Sequence, residues 1–164
     1  FTPELTPLYY RKGAREGKRY YVDEMWYTYP DGKCLTTLRH LTAGGERRNG
    51  KHLYDRCVSD MLNSFQRVRN YGTRGWKEGH TIPLDIAGSE ELVKAKLIYR
   101  GKKTVKADNG QKYPCLVLSY MEREGKKDKE VVRFFVTDDQ RHIPVRLDLF
   151  LNSGSAKAFL SSMK

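Results

Sequence analysis

Val131-Val132-Arg133-Phe134-Phe135-Val136-Thr137-Asp138-Asp139-Gln140-Arg141-His142-Ile143-Pro144-Val145-Arg146-Leu147-Asp148-Leu149-Phe150-Leu151 decides the fold class. Two apolar runs flank a connection far too short for a parallel crossover, which needs about a dozen residues or more, so the flanking strands must run antiparallel. In the second run Val145, Leu147, Leu149 and Leu151 alternate with Arg146, Asp148 and Asn152 around Phe150, the period-two signature of a strand with one packed and one wet face. The first run, like Tyr113 to Tyr120, is apolar on both sides. Such strands are central, and their second face is covered by a helix or lines a concave apolar cavity. Tyr113, Val117, Tyr120, Phe134 and Phe135 are therefore the candidate ligand-lining residues.

Working outward, strands are expected at Thr81 to Ile86, Leu92 to Lys106, Tyr113 to Glu122, Val131 to Thr137, Val145 to Asn152 and Ala156 to Ser161, separated by turn residues. Toward the amino end, Tyr20 to Tyr29 and Cys34 to Thr42 form a hairpin about Pro30-Asp31-Gly32-Lys33. Leu5 to Tyr10 reads as an edge strand, Arg11 to Arg19 as a loop, and Gly44 to Gly50 as a second loop. Between them the period changes. Tyr54, Cys57, Val58, Met61, Leu62, Phe65 and Val68 step by three and four, predicting an amphipathic helix from Asp55 to Asn70 with Arg56, Asn63, Gln66 and Arg67 facing water. The expectation is a mainly β (α+β) fold, an antiparallel meander packed on one helix. With no repeat and no linker, residues 1–164 read as one domain.

The chain has 164 residues, 31 Lys+Arg against 20 Asp+Glu, and a formal charge of +11. Its longest apolar run, Cys115 to Leu118, is far short of the roughly twenty residues of a membrane-spanning helix. The densest basic run, Lys94, Lys96, Arg100, Lys102, Lys103 and Lys106, falls largely on even positions opposite Val93, Ala95, Leu97, Tyr99 and Val105. Period-two alternation makes it a basic row facing solvent, either simply solvated or an anion-binding stripe. Cys34, Cys57 and Cys115 lack zinc or redox spacing and read as buried thiols, with one disulfide plus a free thiol as the alternative.

Recognised chemistry is sparse. Gly45 to Lys51 has the G-x-x-x-x-G-K spacing of a phosphate loop, but His52 stands where Ser or Thr would hold magnesium and the sheet is antiparallel. His40, His52, His80 and His142 have no metal-ligand spacing. A Cys57–His52 pair would require a helical cysteine that the periodicity buries. Asp138-Asp139 with His142 reads as an Asx-type turn rather than a calcium loop. The aromatics Tyr20, Tyr21, Trp26, Tyr27 and Tyr29 read as cross-strand packing, because no RNP-like consensus accompanies them and nucleic acid is not favoured. No catalytic residue, metal or cofactor is assigned.

Pro7-Leu8-Tyr9-Tyr10-Arg11-Lys12-Gly13, Tyr54-Asp55, Asp60-Met61-Leu62, Val136-Thr137-Asp138-Asp139, Ile143-Pro144-Val145-Arg146 and Gly154-Ser155-Ala156-Lys157-Ala158 carry a family resemblance over most of the chain. It resembles an uncharacterised family of Gram-negative envelopes, catalogued as domain of unknown function three-one-zero-eight. The resemblance implies an exported, periplasm-facing protein with a curved antiparallel sheet wrapping a helix, in the manner of half-barrel carriers of lipids and lipoproteins. It also implies further strands and an export signal ahead of Phe1.

The first functional expectation is a non-enzymatic envelope protein that binds a lipid or lipoprotein ligand, or an envelope protein partner, on a concave sheet. The alternative is a polyanion-binding module using Lys94, Lys96, Arg100, Lys102 and Lys106. A hydrolase whose site is assembled from scattered residues is the third.

Overall fold

In the computed structural model, which describes residues 1–88, 92–151 and 154–162, aromatic and β-branched segments pair with their sequence neighbours throughout. The first sheet has the order β1-β2-β3-β4: β1 (Tyr9–Glu16), β2 (Arg19–Thr28), β3 (Cys34–Thr42) and β4 (Gly45–Tyr54). The second has the order β10-β9-β8-β7-β6-β5, from β5 (Thr81–Ala87), β6 (Leu92–Lys106), β7 (Lys112–Glu124), β8 (Lys127–Thr137), β9 (Pro144–Leu151) and β10 (Gly154–Phe159). The described pairings between these strands are antiparallel, and the helix α1 spans Met61–Arg69. The mainly β antiparallel meander with one helix is thus the observed fold class. Two compact units divide the chain, Phe1–Arg67 with Asp85–Val93 and Val68–Leu84 with Lys94–Lys164.

In the first unit the buried face of the sheet carries Met25, Tyr27, Cys34 and Leu38, which pack with Val58 and Ala87. Both segments expected as loops are edge strands. Arg11 to Glu16 pairs with Arg19 to Glu24, closed by Gly17 at φ 60, and Gly45 to Gly50 pairs with Leu38 to Thr42 across a bulge. Their ladders are imposed by the neighbour strand, not by their own polar, glycine-punctuated sequence.

The helix begins six residues later than the periodicity predicts. Ser59 is held extended: its N–H donates to Asp85 O at 3.0 Å and its carbonyl accepts from Ala87 N at 2.8 Å. Asp60, not Asp55, is the cap, its Oδ1 accepting from Asn63 N at 2.7 Å. The later start rotates the helix relative to the expected stripe. Leu62 is exposed, whereas Asn63 is fully buried and donates from Nδ2 to Leu5 O at 2.7 Å. Cys57 falls outside the helix and is exposed, which corrects its expected burial, while Cys34 and Cys115 are buried as expected. The Val68 side chain and Asn152 lie outside the described residues.

In the second unit Val105, Ala107, Cys115, Val117, Phe135 and Val145 form an apolar cluster with Tyr113 and Leu160 against it. Leu151, expected to face inward, is exposed at the strand end.

Candidate functional site

The stretch with the most specific family-like residues, Thr137 to Arg146, forms the connection from β8 to β9, and its own side chains shape it. Thr137 N–H donates to Ile143 O at 2.9 Å, and Ile143 N–H donates to the Thr137 hydroxyl at 2.8 Å, closing the loop at its base. Inside it, Asp139 Oδ1 accepts from the Thr137 hydroxyl at 2.7 Å and from the amides of Arg141 at 3.0 Å and His142 at 3.2 Å. The Arg141 guanidinium lies 3.1 Å from Oδ2. These bonds, the Thr137 hydroxyl first, hold the Asp139 carboxyl below the usual carboxylate range. The Asx-type turn expected from the sequence is what the geometry shows.

Two neighbours fix the loop from outside. Asp138 donates its N–H to Pro114 O at 2.9 Å, and its carboxylate accepts from Lys102 Nζ at 2.6 Å. Arg69, at the end of α1, donates from Nε to His142 O at 3.0 Å, while the His142 Nδ1–H donates to Arg69 O at 2.7 Å. His142 is buried and held at φ 45, a left-handed conformation uncommon for a residue other than glycine.

Two open cavities border this loop, and both are lined in part by Asp138 and Asp139. One of about 370 Å³ is lined by Gln111, Tyr113, Pro114, Thr137, Asp138, Asp139 and Arg141. The other, about 530 Å³, is polar and runs from Arg69 through Arg74 to Asp138, Asp139, Gln140 and His142. The first is amphipathic by construction. Tyr113 forms its apolar wall and also packs on the cluster containing Val117 and Phe135, while its hydroxyl donates to Gln111 Oε1 at 2.6 Å.

Ladder register divides the five residues expected to line a cavity. Val117 pairs with Phe135, and Val105 with Tyr113, so these share one face, whereas Leu118 pairs with Phe134 and Tyr120 with Val132 on the other. Val117, Tyr120, Phe134 and Phe135 are buried; of the five, Tyr113 alone reaches the cavities described here.

The basic row is divided too. Arg100 and Gly101 both oppose Val117 in a bulge, with Gly101 at φ 92. The extra residue flips the remainder of β6, so Lys102 and Lys106 fall on the face of Leu97 and Tyr99, opposite Lys94, Lys96 and Arg100. Lys96 is paired with Asp128 at 2.5 Å and Lys102 with Asp138. Simple alternation along the sequence cannot reveal such a flip, although Gly101 marks where it occurs.

Gln111, Pro114, Arg69 and Arg74 line the cavities without a sequence signal to single them out, because they come from a turn, a strand start, a helix end and the segment after it. Among the described residues no group of three or more His, Cys, Asp or Glu is placed to hold a metal ion, and no helix is long and apolar enough to cross a membrane.

The family described as "Protein of unknown function (DUF3108)" matches residues 1–161, and the chain belongs to it. No curated protein and no solved structure matches the chain.

Proposed function

We propose that this member of the DUF3108 family is a non-enzymatic, exported, periplasm-facing protein that binds an amphipathic ligand, a lipid or lipoprotein acyl chain, at the cavity beside Tyr113. The reading rests on one observation above all: Tyr113 is both a wall of the 370 Å³ cavity and a member of the apolar cluster with Val117 and Phe135. An acyl segment would lie on Tyr113 and Pro114, and a polar headgroup would meet Arg141 and Gln111 at the rim. Arg141 and Lys102 are already partnered by Asp139 and Asp138, so the headgroup is recognised mainly by hydrogen bonding. The envelope location is supported by the motifs shared with an envelope family. The polyanion reading is weaker, because the cations of β6 stand on two faces.

Titration with a fluorescent fatty-acyl probe tests this. Truncating Tyr113 removes a ring's worth of apolar contact, about 2 kcal/mol, so Tyr113→Ala should bind at least tenfold more weakly while Tyr113→Phe stays within a few-fold. Equal affinity in all three proteins, or no binding by the unmodified one, overturns the assignment.

A further inference from the structure

We infer that the solvent face of the first sheet holds a further binding site, one for an acidic saccharide, in the cavity between Trp26 and Lys51. Met25, Tyr27 and Leu38 belong to the apolar cluster, so period-two alternation sends Glu24, Trp26, Thr37 and Arg39 to the opposite face. Register then aligns two rows across all four strands. One is Tyr9, Trp26, Thr37 and Lys51, and beside it runs Arg11, Glu24, Arg39 and Asn49. Tyr9 and Trp26 are both exposed, with ring centroids 5.4 Å apart. Adjoining rings left in water beside polar groups are a surface that ligands cover.

A buried carboxylate holds this face in place. Glu24 accepts from the Tyr9 hydroxyl at 2.6 Å and from Arg39 Nε at 2.9 Å, with Arg11 Nε 3.8 Å away. The Arg39 guanidinium, so fixed, lies 5.3 Å from the Trp26 ring. Trp26, Thr37, Arg39, Glu46, Asn49 and Lys51 line an open cavity of about 460 Å³, within the range of about 300–1,000 Å³ usual for small-ligand sites. An indole beside hydroxyl, amide and charged groups suits a pyranose, whose C–H bonds rest on the electron-rich ring while its hydroxyls both donate and accept. Thr37 and Glu46 supply acceptors, and Arg39, Asn49 and Lys51 supply donors. A phosphodiester backbone offers acceptors only, and the Glu46 carboxylate repels it. Arg11, Arg39 and Lys51 outnumber Glu24 and Glu46 on this face, so the sugar it favours bears a carboxylate, which meets Lys51.

Calorimetric titration with tri-galacturonate, and with the neutral trisaccharide made by reducing its carboxylates, tests the site. The unmodified chain should bind the acidic sugar about fivefold more tightly than the neutral one. Trp26→Ala should weaken both by about tenfold, whereas Lys51→Gln should remove the preference and keep the affinity for the neutral sugar. Urea midpoints report whether each variant is folded. Lys51 is exposed, so its substitution decides the matter if Trp26→Ala unfolds. Binding of neither sugar, equal affinity for the two, a preference that Lys51→Gln leaves intact, a folded Trp26→Ala that binds as before, or tighter binding of a thymidine oligonucleotide overturns the inference.

Discussion

Arg69 and His142 exchange main-chain hydrogen bonds: the guanidinium of Arg69 donates to the carbonyl of His142 at 3.0 Å, and the imidazole of His142 donates to the carbonyl of Arg69 at 2.7 Å. Each side chain satisfies the other residue's backbone, so the end of the helix and the loop between β8 and β9 are one hydrogen-bonded unit. Because a carbonyl only accepts, the proton of His142 sits on Nδ1.

His142→Ala should therefore lower stability by about 1–2 kcal/mol, because it orphans the Arg69 carbonyl while the backbone at φ 45 still carries a Cβ. His142→Asn should cost less, since asparagine tolerates the left-handed region. Urea unfolding of both variants, read as the shift in midpoint at unchanged slope, checks the order.

Acid should loosen the same loop through Asp139. Its folded-state carboxyl titrates below the unfolded value, held down first by the Thr137 hydroxyl. The stabilisation is complete above the unfolded carboxylate value near pH ~4 and is lost as pH falls through the lower folded value. Urea midpoints measured from about pH 5 downward should fall in the unmodified chain and fall less steeply in Asp139→Asn.

Arg146, part of the Ile143-Pro144-Val145-Arg146 stretch, holds the buried Asp148 by two bonds of 2.6 Å and lies 5.0 Å from the Phe135 ring and 5.6 Å from Phe159. Arg146→Ala should destabilise by about 2–3 kcal/mol, because it leaves a buried carboxylate without its fork and strips two rings of their cation. Arg146→Lys should recover only part of this. Thermal unfolding of the pair measures the difference.

Gly101 makes the β6 bulge at φ 92, and a Cβ built there would overlap the Glu78 carboxylate. Gly101→Ala should cost about 1–2 kcal/mol from backbone strain alone. The same substitution with Glu78→Ala should recover only the steric share, as chemical denaturation of the single and double variants will show.

Legibility in the sequence follows burial. The central strands around Val117 and Phe135 declare themselves because both faces are apolar, and the β2–β3 hairpin because Pro30-Asp31-Gly32 is turn chemistry. The edge strands β1 and β4 are opaque: half-solvated segments such as Glu46-Arg47-Arg48-Asn49 carry no alternation, and only the neighbour's open ladder makes them strands. The start of the helix is misread because Val58 continues the three-four spacing by coincidence, while its neighbour Ser59 is bonded to Asp85 and Ala87 far along the chain. The candidate site is half legible. Asp138, Asp139 and Tyr113 stand out, but Arg69 reaches it from the end of the helix and Arg74 through the path of the chain beyond it.

Ligand binding beside Tyr113 is tested most directly by native mass spectrometry of the protein purified from its native source, with solvent extraction of whatever non-covalent mass comes off. A discrete lipid-like adduct, released by extraction and diminished in Tyr113→Ala, is the expected result. A clean apo mass reproduced under gentle conditions, or an adduct that Tyr113→Ala retains in full, contradicts it.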